Sequence, residues 1–180
     1  MDDGRSPELT RVNPLAERLS CWTSGSARGQ EVGRWISRTL ALPQLRRLTG
    51  GVIPWTQLRR PITEATVALV TTSGVHLRRD KPFNPSSDSS FRVIPCDAEP
   101  GDLAITHQAY DRRDAVRDIN LVFPLQRLRE LAAQGVIGRL AAENYGFGLV
   151  DQGAKLIGPG REVGARLNDG GVDLALLVPA

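Results

Sequence analysis

The chain has 180 residues, 41% of them hydrophobic and 24% charged, with a net charge of +3. That balance excludes an intrinsically disordered chain, and no stretch reaches the roughly 20 apolar residues needed to cross a bilayer. Two cysteines, Cys21 and Cys96, exclude a disulfide framework and a cysteine-rich zinc site.

The charge is unevenly placed. Residues 1–60 hold ten arginines against five acids, a surplus of +5, whereas residues 61–180 carry −2. Lys81 and Lys155 are the only lysines. Two readings of the basic third stay open: a solvated Arg-rich helical extension, or a binder of nucleic acid or another anionic surface. The arginines have no aromatic stacking platform among them. The opening MDDGRSPELT is acidic and polar, unlike a secretory signal. The expected compartment is the reducing cytoplasm.

Residues 1–60 are read as the helical extension and 61–180 as an α/β domain. Asn13-Pro14 opens a first helix with Leu15, Leu19 and Trp22 on one face. A second helix spans about 30–40, with Val32, Trp35, Ile36 and Leu40 at helical spacing. Trp55 and Leu58 are expected to pack this extension onto the α/β domain. TVALVTT, residues 66–72, is continuous, β-branched and apolar, as a buried parallel strand requires. A turn comes next at Ser73-Gly74. Residues 80–90 read as a long polar loop, 91–95 and 102–106 as short strands. Pro124 opens a strong helix, PLQRLRELAAQ, which Gly135 ends. Residues 136–140 are a short strand or turn, and 143–153 read as loop. A helix over 159–169 leads to the last strand, 172–178, expected to sit centrally. The fold class is α/β with a partial parallel sheet, flavodoxin-like or Rossmann-like, incomplete at its C-terminus. A central strand left uncovered would expose apolar surface.

Nucleotide binding has no support, because no phosphate-binding glycine motif comes after either strand. His76 and His107 each come just after a predicted strand, where open α/β sheets bind ligands. They suit substrate orientation or proton handling, or are simply loop histidines with local hydrogen bonds. A metal site built from them and Asp111 lacks a close His pair, so none is expected. Ser73 is not in a nucleophile elbow, and its turn offers backbone N–H groups to an anion instead. Cys21 reads as packed beside Trp22. Cys96 precedes Asp97, a poor neighbour for an anionic nucleophile.

Four runs now speak together: ATVALVTTSGVHL, KPFNPSSDSSFRVIP, DLAITHQAYDRRDAVRDINLVFPLQRLRELAAQGVIGRL and GVDLALLVPA. In this order they closely resemble the selenoprotein B family. That family comprises the substrate-specific B subunits of glycine, sarcosine and betaine reductases and the related D-proline reductase, whose branch is the more similar. The resemblance covers about residues 54–180. It implies an oxidoreductase subunit that cleaves a C–N bond of D-proline or a glycine derivative. A partner subunit carries a pyruvoyl group that captures the substrate amine. A selenolate or thiolate of the B-type subunit attacks the α-carbon, and a thioredoxin-type dithiol resets the resulting selenenyl-sulfide.

In the family the active selenocysteine or cysteine comes directly after the motif that reads LLVPA here, and a Cys-His pair comes shortly after. At the carboxyl end of a strand entering a helix, its anion is stabilised by backbone N–H groups and the helix dipole. This chain contains no such nucleophile, which is expected just after Ala180. The expectation is therefore an upstream piece of a longer selenoprotein, ended at a UGA codon read as stop. What remains to shape the pocket is Thr72, Ser73, Gly74 and His76 after the first strand, and His107, Tyr110 and Asp111 after another. The alternative is a non-catalytic relative that binds a reductase partner.

Overall fold

The structure, a computed structural model, describes residues 56–150 and 153–179. The two expected N-terminal helices, Cys21 and Trp55 lie outside the described residues. Leu58 is exposed and packs no core.

Strand β1, Thr66–Thr71, is buried along its whole length and forms the middle of a sheet. One edge pairs with β5, Arg139–Leu140, at the start of β1 and with β6, Glu143–Phe147, at its end. The other edge pairs in parallel with β7, Leu174–Val178, from Val67↔Leu174 to Thr71↔Val178. Strand β3, Phe91–Pro95, adds antiparallel to β6. A separate two-stranded ribbon joins β2, Val75–Leu77, to β4, Leu103–Ile105. The class is α/β with a mostly parallel sheet, as the alternation of buried strands and helices implied.

Strand residues alternate between faces, and the alternation in β1 assigns the helices. Val67 and Leu69 join Leu125 and Leu128 of α2, Leu125–Ala133, in one core. Val70 joins Tyr145, Phe147 and Val163 of α3, Ile157–Asp169, in the other. Leu69, Ile94, Phe123 and Leu125 are almost wholly removed from water, each contributing about 2 kcal/mol of apolar burial. A short helix α1, Arg113–Arg117, precedes α2.

The two longer helices among the described residues end the same way. Gly135 takes φ 72° after α2, while Val136 N–H donates to Leu131 O at 2.9 Å. Gly171 takes φ 65° after α3, while Val172 N–H donates to Leu167 O at 3.0 Å. Each is a left-handed glycine closing a Schellman motif. The predicted stop at Gly135 is thus observed.

Two expectations need correction. Residues 143–147, read as loop, are the buried strand β6. Register explains how ENYGF becomes a strand. Partners Val67↔Leu140 and Val70↔Tyr145 differ in offset by two residues, so the strand opposite β1 bulges between β5 and β6. Asn144 fills the gap in the ladder: its Oδ1 accepts the Leu69 N–H at 2.8 Å, and its Nδ2 donates to Ala141 O at 3.2 Å. A bulge leaves backbone groups unpaired, and buried ones must find a partner; here the Asn144 amide is that partner.

The last strand is the second correction. β1 holds the centre, and β7 pairs with β1 alone among the described residues. Leu174, Leu176 and Leu177 are exposed, the last at 70%. A continuous apolar run is normally covered on both faces; here α2 and α3 reach only as far as Val178 and Ala175.

Candidate functional site

The carboxyl ends of β1 and β7 lie side by side, with Thr71 opposite Val178. Thr71 ties this corner together. Its Oγ1 lies 2.9 Å from Val122 O and 3.1 Å from Val178 O, and accepts the Ser73 N–H at 3.1 Å. Ser73 is fully buried, and its hydroxyl is 2.6 Å from Thr71 Oγ1, a hydroxyl that does not supply the base a serine nucleophile needs.

The backbone of the turn is occupied from within. Thr72 N–H donates to Val178 O at 3.2 Å and Gly74 N–H to Phe147 O at 2.8 Å. The anion cradle expected of Ser73-Gly74 is therefore filled by the protein's own acceptors. Gly74 serves a different purpose. It has φ 74°, and a Cβ there would lie 2.1 Å from Thr106 O. The glycine lets the turn after β1 touch the chain entering His107, a contact sealed by Thr106 N–H donating to Gly74 O at 2.8 Å.

The two histidines are close through Thr106 but differ in their freedom. His76 is buried in β2, its Nδ1–H donating to Leu77 O at 2.8 Å. Its Nε2 accepts from Thr106 Oγ1 at 3.0 Å, and Phe83 meets the ring edge-on. With both nitrogens engaged by protein, His76 anchors the ribbon. His107 is also buried, its ring 4.8 Å from that of Tyr110. Its Nδ1 accepts the Ala109 N–H at 3.2 Å. The neutral ring therefore carries its proton on Nε2, which is a donor.

Burial, and then the charge of Arg112, push His107 down to about 4. Tyr110 O–H donates to Ser73 O at 3.0 Å, and burial raises the phenol to about 12. Both groups thus stay neutral at physiological pH. His107 therefore presents a neutral ring with its N–H on Nε2. Asp111 is turned to Arg113, whose Nε donates to Oδ2 at 2.9 Å. Thr72 is exposed at the mouth of the corner. Arg112, which the sequence pattern did not single out, bears on both rings; its signal lay in the AYDRRD run. Among the described residues no group of three His, Cys, Asp or Glu is placed to hold a metal ion.

The His107 assignment is open to measurement. In an NMR titration, ring carbon and nitrogen shifts keep the Nε2–H tautomer down to about pH 5 and move only near pH 4. A midpoint above 6 refutes the assignment. The sign for stability comes from linkage. The unfolded imidazole takes up its proton near 6.5 and the folded one near 4. The stability is therefore full above about 6.5 and is lost as pH falls towards 4, by about 2 kcal/mol after screening.

Residues 49–180 match the sequence profile of the family described as glycine/sarcosine/betaine reductase selenoprotein B. This chain belongs to that family. It is 44% identical over 125 residues to the D-proline reductase subunit gamma of Acetoanaerobium sticklandii, covering 68% of this chain and 52% of that one. It is 36% identical over 92 residues to the sarcosine reductase complex component B subunit beta of Peptoclostridium acidaminophilum, covering 48% and 20%. With the glycine reductase complex component B subunit gamma of Carboxydothermus hydrogenoformans it shares 30% over 127 residues, covering 66% and 28%. The chain thus spans about half the length of the first of these relatives and less of the others. No solved structure matches it. All these selenoprotein B relatives are parts of multi-component reductases, so a reductase-complex partner is general to the group. No helix among the described residues is long and apolar enough to cross a membrane.

Proposed function

We propose that this chain is the strand-end half of a substrate-specific subunit that reductively cleaves the C–N bond of D-proline or a glycine derivative. The observation that carries the reading is the parallel register of β1 and β7. It sets Val178 against Thr71, within reach of the corner that holds His107 and Tyr110. A selenocysteine or cysteine directly after the LLVPA motif would then stand beside that corner. At the carboxyl end of parallel strands, ligands meet loops rather than packed side chains.

In this reading the exposed Thr72 lines the mouth and His107 presents Nε2–H to the substrate. Tyr110 and Thr71 hold the Ser73 turn, and His76 holds the ribbon from behind. The pyruvoyl group belongs to a partner subunit and supplies the electrophile that captures the substrate amine. No residue of this chain is assigned to hold it. Attack of the chalcogenolate forms a chalcogen–Cα bond as the Cα–N bond breaks and the nitrogen takes a proton. One thiol of the dithiol then takes the chalcogen while Cα takes a proton, and the second thiol closes the disulfide and frees the chalcogenolate.

The test begins with the coding sequence after codon 180. A frame continuing with a selenocysteine or cysteine and a nearby Cys-His pair is expected. That longer polypeptide, mixed with a pyruvoyl-carrying subunit and a dithiol, should convert D-proline to the ring-opened 5-aminopentanoate. A frame that lacks the chalcogen, together with no dithiol-dependent turnover of D-proline, glycine, sarcosine or betaine, refutes the proposal.

A further inference from the structure

Arg112 stands out among the charges of its segment. Asp111 pairs with Arg113 and Asp114 with Arg117. Among the described residues no carboxylate pairs with Arg112. It is only partly exposed, and its one hydrogen bond runs from Nη1 to Ile105 O at 3.3 Å. A guanidinium carries five N–H donors, so most of its donors are unused. A partly buried cation without a counter-charge is costly unless something brings one.

Its neighbours point to what that is. The guanidinium rests on Ile105 O, two residues before His107 on the same segment, and its charge, after burial, acts to lower the pKa values of both His107 and Tyr110. His107 adds a neutral Nε2–H donor, fixed by the Ala109 N–H on its other nitrogen. Tyr110 is held by Ser73 O and brings no negative charge. The result is a positive, donor-rich corner. A carboxylate matches it, because a planar guanidinium binds two oxygens at once.

We propose that Arg112, with His107, forms the subsite for the carboxylate of an amino-acid substrate. This rests on the reading of the chain as a substrate-specific reductase subunit, and it makes Arg112 the residue that selects acids over amides. The backbone of the Ser73 turn has no part in it.

The test is NMR on the 180-residue chain with three probes: D-proline, D-prolinamide and acetate. D-proline and acetate are expected to shift the His107 ring and the amides of 105–112, and D-prolinamide to leave them unmoved. Arg112→Gln should weaken D-proline roughly tenfold or more, the scale of a lost charge-assisted pair. Arg112→Lys should recover part of this. Equal shifts by D-proline and D-prolinamide in the unaltered chain overturn the subsite yet leave the reductase reading standing, and need no variant. Shifts by acetate but not by D-proline leave an anion subsite and overturn the amino-acid reading. No shift by any probe overturns the subsite, while turnover by the longer polypeptide with its pyruvoyl partner decides the reductase reading separately.

Discussion

Asn144→Leu should destabilise the chain by about 3 kcal/mol, read as a lower urea midpoint with an unchanged slope. The substitution keeps volume, so little of the loss comes from packing. Asn144 is fully buried, and its amide is the group that meets Leu69 N–H where the strand opposite β1 bulges. Leucine strands that N–H in the middle of the sheet and also frees Ala141 O. A buried donor without a partner costs its full desolvation, about 1–3 kcal/mol. Water cannot replace the amide, because β3 and β7 close the sheet on either side of this pair of strands. A loss below about 1 kcal/mol would mean the bulge can close without its side-chain bridge.

Gly146→Ala should be worse, by about 4 kcal/mol or more, with no folded population as the extreme. Gly146 sits in β6 with β1 on one side and β3 on the other. A Cβ there would lie 1.9 Å from Val75 O, a backbone atom of β2. Neither strand can give way without breaking its ladder. The ribbon of β2 and β4 must lift from the sheet, taking His76 with it and loosening the Thr106–His107 segment. Gly164→Ala is the control. It lies on α3 with nothing within 4 Å of the added carbon, so helix propensity should raise stability by about 1 kcal/mol. Thermal unfolding of the two variants should move in opposite directions. Similar shifts would refute the close-approach argument.

These two residues also explain why β6 escaped the sequence. ENYGF joins Glu, Asn and Gly, which are poor strand formers, and its glycine reads as a loop. Each is required by a neighbour distant in the chain. Asn144 answers the ladder gap of β1, and Gly146 the close passage of β2. TVALVTT needed no such help, since continuous β-branched residues state a buried strand by themselves. The helix opened by Pro124 and closed by Gly135 was equally plain, because a period and a stop are local signals.

The candidate site divides in the same way. Thr72, Ser73, Gly74, His76, His107, Tyr110 and Asp111 were picked out as strand-end residues. The ribbon brings His76 and the 106–110 segment onto the Ser73 turn, but it leaves them unequal. Tertiary hydrogen bonds occupy both nitrogens of His76 and the N–H groups of the turn, while Asp111 turns to Arg113. His107 keeps a donor, and Arg112 keeps most of its own. Sequence position names a candidate, but the number of donors left over depends on which backbone carbonyl happens to lie opposite.

By itself the sequence determined the α/β class, the buried strand β1, the helices over 125–133 and 159–169 with the stop at Gly135, and the selenoprotein B resemblance. Those rest on local periodicity, on steric limits of single residues, and on motif order along the chain. Only the tertiary structure decided that ENYGF is a strand, that β1 and not β7 is central, and which histidine is closed off. Those depend on hydrogen bonds between residues 75 or 107 positions apart, as in Leu69 to Asn144 and Thr71 to Val178. No local pattern carries that information, because each such bond is set by where the far partner's backbone has already been placed.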